Sequence, residues 1–232
     1  MFVDLLFVTF LWYIGTKFDN VNEHMRCLLI KKKRGLRRAW RTVTPITRLC
    51  ITYTGNYKCV LWTSMHLHLE LCQIARELNA MFGIQITLEM LAHLIHLTRL
   101  ISYFFINVKI EDHHLLTSIG GIDFQVWIWI YVVRIFGLNY ICENVSEKAN
   151  RIKRIIHYLS DSLRYADVRE EIHQFILQTI HHPLKFTGLN LFYFGNGFLQ
   201  KFFIKVSTLV MIVVQMSNTL SPNTSAGNFK EK

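Results

Sequence analysis

The chain has 232 residues, of which 51% are hydrophobic and 18% charged, and its formal net charge is +10. This length admits one sizeable domain or a small bundle of membrane helices. The apolar residues gather into long runs and the positive charges fall between them, a distribution that argues against a nucleic-acid partner and for a protein that crosses a membrane.

Residues 1–16 form the first apolar segment, from Phe2 to Ile14 with Asp4 inside it, and read as part of a membrane span. No basic residue precedes it, so it does not have the pattern of a cleaved signal peptide. Residues 17–80 read as a cytoplasmic basic loop and an amphipathic helix. The stretch from Phe18 to Arg26 continues the first helix, and the run Lys31-Lys32-Lys33-Arg34-Gly35-Leu36-Arg37-Arg38 predicts a flexible basic connector. From Leu61 to Phe82, apolar Leu67, Leu71, Ile74 and Leu78 recur at helical spacing. His66, His68 and Glu70 at the start of this helix are expected on its wet face.

Residues 81–107 form a membrane span interrupted by Glu89, His93, His96 and Arg99. Glu89, His93 and His96 share one helical face at i, i+4 and i+7. Imidazole and carboxylate suit zinc, but no fourth ligand is evident and the HExxH order is absent. The expected role is a polar face turned toward the bundle interior or a cavity. An extracellular loop, 108–123, leads to the next span, 124–142, which contains Arg134. Residues 143–188 read as cytoplasmic helices, the second of them from Val168 to Ile180 and ending near Pro183, which cannot continue the hydrogen-bond ladder. A last span, 189–216, and a polar disordered tail, 217–232, complete the chain.

Loop charges support this order independently. Lys and Arg number twelve from Lys17 to Ala80, one from Lys109 to Asp123, seven from Glu143 to Lys185, and two after Ser217. Cytoplasmic loops accumulate Lys and Arg, so the alternation places both basic loops in the cytoplasm and the C-terminus outside. The five cysteines, at irregular spacing, fit reduced thiols and no disulfide framework. The predicted fold class is therefore all-α: a multi-pass transmembrane helical bundle with cytoplasmic helical extensions, the last helix split into a cytoplasmic and a membrane part.

The last span carries the most information. Among hydrocarbon-soluble residues it holds Lys201, Lys205 and, near its end, Gln215. Lipid tolerates such groups badly, so they should face protein or a water-filled path.

Three stretches resemble the insect gustatory receptors, seven-transmembrane chemosensory channels related to the insect odorant receptors. His181-His182-Pro183-Leu184-Lys185-Phe186-Thr187 looks like that family's junction before its last helix, and Thr208, five apolar residues from Val210 to Val214, and Gln215 keep its signature spacing. Leu209 stands where the family has tyrosine, Met216 where it has phenylalanine, Asn190 where it has glycine, and Lys205 where it has a small residue. Phe18-Asp19-Asn20-Val21-Asn22 and Ala75 to Gly83 resemble the end of the fourth family helix and the entry to the fifth. The resemblance covers nearly all of this chain but only the family's C-terminal half.

It implies a ligand-gated cation channel for taste perception in the cell membrane, here truncated. Four copies of the last helix, or copies from related subunits, would surround a pore with Thr208, Leu209, Val213 and Gln215 in the signature. Small-molecule tastants would be the ligands, with Tyr103, Trp127, Trp129 and Tyr131 as pocket candidates, and membrane lipid the surroundings. Lys205 and Leu209 fit a cation pore poorly, and the alternative is a non-conducting fragment or an assembly partner of full-length subunits. The reading assigns no catalytic residue, metal or cofactor. Of two sequons, Asn144-Val145-Ser146 falls on the cytoplasmic side and Asn223-Thr224-Ser225 outside.

Overall fold

The computed structural model describes residues 2–35, 57–110, 119–162 and 166–220. In chain order they form helix α1 (Phe2–Gly35), helix α2 (Tyr57–Ile110), helix α3 (Ile119–Ser162), helix α4 (Ala166–His181), the two-residue strands β1 (Thr187–Gly188) and β2 (Phe192–Tyr193), and helix α5 (Asn196–Leu220). Among the described residues, three helices are long and apolar enough to cross a membrane, within Cys59–Ile106, Gln125–Tyr158 and Asn196–Ser217. The all-α membrane bundle expected from the sequence is the observed architecture. α2 has 54 residues, about 80 Å at 1.5 Å per residue, against a hydrocarbon layer of about 30 Å. More than half of it must lie outside the bilayer. Of the expected flexible connector, Lys31 to Arg34 instead continue the backbone of α1 up to Gly35, and the rest lies outside the described residues. Lysine and arginine are good helix formers, and a glycine is a common place for a helix to stop.

The chain divides into two compact units, residues 1–83 with 141–187 and residues 84–140 with 188–232. In the first unit, α1 buries one stripe: Phe7, Leu11, Ile14, Phe18, Val21 and Met25. Their steps of three and four residues keep one face of the helix inward. α3 contributes Val145, Ala149, Ile152 and Ile156, and α4 contributes Ile172, Phe175 and Ile176. Phe18 and Phe175 both meet the ring of His68, at 5.3 and 5.7 Å between centroids. His68 is thus buried in the core, which corrects the expectation of a wet position. His66 and Glu70 are exposed, 3.8 Å apart. An amphipathic helix wide enough to touch α1 and α4 turns two faces inward, and His68 lies on one of them.

The irregular segment after α4 is held by side chains of α2 and α3. Arg76 donates to the carbonyl of His182 at 2.7 Å, and Ser146 and Asn150 both donate to the carbonyl of Leu184. Asn79 pairs twice with Thr187, accepting from its backbone N–H and donating to its hydroxyl, each at 3.2 Å. Backbone polar groups released at the end of a helix can be buried only when paired in this way. Leu184 and Phe186 can therefore sit in the core although their backbone is in no regular element.

β1 and β2 make a tight hairpin, closed by a bond from Leu191 N–H to the Gly188 carbonyl at 2.9 Å. Its two central residues, Leu189 and Asn190, have φ of 49° and 58°. Two positive φ values define a type I′ turn, where asparagine is at home and leucine is not. The asparagine standing at the family's glycine position has here a physical reason, since both residues tolerate left-handed backbone. Gly188 cannot be replaced as easily: a Cβ there would run into the Phe192 ring and stand 2.7 Å from Thr87 Oγ1. Leu189→Asn should raise stability by about 1 kcal/mol by removing the left-handed penalty, read as a higher thermal unfolding midpoint.

Candidate functional site

The second unit contains α5 and the residues that set its start. Asn139 of α3 is wholly buried; its Oδ1 accepts the N–H of Gly195 at 3.0 Å, while its Nδ2 donates to the Ile135 carbonyl at 2.8 Å. The Gly195 carbonyl in turn accepts from the N–H groups of Phe198 and Leu199, the first bonds of α5. A chain of phenylalanine rings follows. Phe192 stacks on Phe198 at 4.4 Å, Phe198 meets Phe202, Phe202 meets Phe203, and Phe203 stacks on Phe136 of α3 at 5.5 Å. These contacts fix which way α5 is rotated.

Leu199, Phe202, Val206 and Val210 are its buried face. Lys201, Lys205, Thr208, Ile212 and Gln215 are all exposed. At 100° per residue they fall in an arc of roughly 80°, centred roughly 150° from the packed stripe. Thr208 returns its hydroxyl proton to the Ile204 carbonyl at 2.9 Å, as Ser207 does to Phe203, which is how a hydroxyl is satisfied in an apolar medium. A lysine or glutamine side chain has no such local solution. Of the four signature residues expected at this site, Thr208 and Gln215 are on the outward arc. Leu209 and Val213, 39% and 40% exposed, flank it nearer the packed face. Ile212 was not singled out from the sequence, yet it lies within the arc.

The aromatic candidates separate. Tyr131 is the centre of a group: His93 meets it edge-on at 5.1 Å, His96 stacks parallel at 5.7 Å, and Trp127 lies at 6.3 Å. Trp129, two residues before Tyr131, is turned roughly 200° around the helix from it and is mostly exposed. Tyr103 is also exposed, two turns beyond His96 on α2. His93 and His96 engage one tyrosine ring and do not converge on a point between them. Among the described residues no three His, Cys, Asp or Glu side chains form a metal-binding group. Sequence reasoning missed Asn139. Its signal was an amide in the middle of the apolar run Phe124–Cys142, where only Arg134 had drawn notice.

Comparison with known proteins adds two findings. The family described as 7tm Chemosensory receptor matches residues 1–219. "Putative gustatory receptor 28b" of Drosophila melanogaster is 22% identical in an alignment of 183 residues, with 73% of this chain and 36% of that protein covered. The chain thus spans about a third of the length of this curated relative.

Proposed function

The chain belongs to the 7tm chemosensory receptor family, and from that membership we propose that it is a gustatory-receptor-like subunit of a ligand-gated cation channel. Its natural setting is the cell membrane, with the basic loops in the cytoplasm and the C-terminus outside, in company with further copies or with longer receptor subunits. The observation that carries the channel reading is the outward arc of α5. Thr208, Ile212 and Gln215 lie in line on the face turned away from Leu199, Phe202, Val206 and Val210, two polar side chains in a row on a helix otherwise suited to lipid. Copies of the helix gathered around an axis would cover the flanks of that face and leave its centre to water and ions.

Small-molecule tastants are the ligands, and the group around Tyr131 is the best candidate for part of their pocket. It combines ring faces with imidazole hydrogen-bonding groups, as small-molecule sites generally do. A ligand opens the path only by contacting the open state better than the closed one. The bond from Asn139 to Gly195 is suited to carry that difference, because α3 bears both Tyr131 and Asn139.

A second reading rests on Lys201 and Lys205. Two ammonium groups on the same face oppose cation passage, which favours a chain that assembles with longer subunits and does not conduct alone. Recording from cells expressing this chain, alone and together with a full-length receptor, separates the two. With a panel of sugars and bitter compounds as probes, a cation current from the chain alone supports the first. Silence alone, with altered current on co-expression, supports the second. No effect in either setting overturns both.

A further inference from the structure

α5 contains no acidic residue, and among the described residues neither Lys201 nor Lys205 has an acidic partner. They stand one turn apart on the outward face, where like charges repel each other. An anion between them would relieve both problems. The place of the pair in the helix identifies which anion.

α5 has 25 residues and is about 37 Å long, roughly 7 Å more than the hydrocarbon layer. Lys201 begins about 8 Å from its start and Lys205 one turn deeper. Both four-carbon stems can lie along the helix and bring their charges back to the headgroup boundary. The hairpin just before α5 marks the same depth. Leu189, Leu191 and Tyr193 are 46%, 77% and 63% exposed there, an apolar and aromatic set suited to the boundary between headgroup and hydrocarbon. Beyond the lysines, Ile204 and Met211, on the flank of the outward arc, are exposed and give an acyl chain an apolar bed.

We propose that Lys201 and Lys205 together hold the phosphate of an anionic phospholipid where α5 enters the bilayer. This needs α5 to cross a membrane but does not need it to line an ion path. A bound lipid would fix the depth and rotation of the helix at the end opposite Gln215.

The test uses the full chain purified in detergent, with phosphatidylglycerol and phosphatidylcholine as competing probes and native mass spectrometry to count retained lipid. The wild type should retain phosphatidylglycerol in preference. Each of Lys201→Gln and Lys205→Gln should weaken retention about fivefold, and the pair of substitutions about thirtyfold. Lys153→Gln, which alters a lysine of the other unit, should leave it unchanged. If the double glutamine variant does not fold, Lys201→Arg with Lys205→Arg keeps the charge and should keep retention. Equal retention of both lipids by the wild type overturns the proposal, as does retention that ignores the substitutions. Displacement of the lipid by millimolar inorganic phosphate would also overturn it, since the pair would then be a site for free anions.

Discussion

Phe7→Ala should lower the stability of the chain by about 3–5 kcal/mol, the loss found for large aromatic side chains removed from a closed core. Phe7 is wholly buried, and its ring meets Phe82 at 5.7 Å and Phe186 at 6.5 Å, the second edge-on. Those partners come from α2 and from the irregular segment after α4, and that segment is tied down by side chains such as Asn79 and Ser146. Truncation would leave a cavity where three stretches of chain meet, with no single helix able to move in and fill it. Phe10→Ala is the control. Phe10 lies one turn along the same helix but is 49% exposed, so its loss should stay within about 0.5 kcal/mol. Unfolding followed by intrinsic fluorescence of the purified chain measures both. Equal shifts for the two variants would mean that Phe7 faces lipid and that the first unit is wrongly assembled.

Asn139→Leu should cost about 1–3 kcal/mol, although leucine has the same number and branching of side-chain heavy atoms. The loss comes from polar accounting. The N–H of Gly195 would remain buried without the acceptor it now has at 3.0 Å. The cost should be local to the start of α5. Hydrogen exchange at Gly195 and through the first turn should speed up strongly, while amides of α4 in the other unit keep their protection. If exchange at Gly195 is unchanged, Asn139 does not hold the helix in place, and its part in transmitting a ligand signal fails with it.

Much of this architecture is legible in the sequence because membranes impose simple rules. Long apolar runs, the alternation of Lys and Arg between them, and Pro183 mark the helices and their breaks. The short stretches that resemble the family also acquire physical meaning. Phe18 packs on His68, Asp19 pairs with Lys148, and Asn22 donates to the Lys148 carbonyl at 2.8 Å. Asn79 holds Thr187, and Phe82 packs on Phe7.

What the sequence conceals is which face of a helix meets which neighbour. His68 looks like a wet residue because it stands among His66 and Glu70, and only the arrival of Phe18 and Phe175 buries it. The stability of Lys31 to Arg34 as helix is hidden by the charges themselves, which read as a solvated loop. The rotation of α5 is set by rings from β2 and α3, so a count along α5 alone groups Thr208 with Gln215 but does not say which face turns outward. The sequon at Asn144 illustrates the same point. Its Ser146 hydroxyl is engaged with the Leu184 carbonyl inside a helix, so an absent glycan there would report folding as much as topology.

A channel requires that the outward arc of α5 meet water in the middle of the membrane. Cysteine placed at Thr208 or Ile212, in a chain whose exposed Cys59 is replaced by serine, tests it directly. Both positions are about 18–24 Å into the helix, too deep to reach either interface by a short side chain. A charged, membrane-impermeant thiol reagent should modify both cysteines in intact membranes, while cysteine at the buried Val210 should stay unreacted. Cysteines at Thr208 and Ile212 that react only with a lipid-soluble maleimide, and with the charged reagent only after detergent, would contradict it and place this face of α5 in lipid.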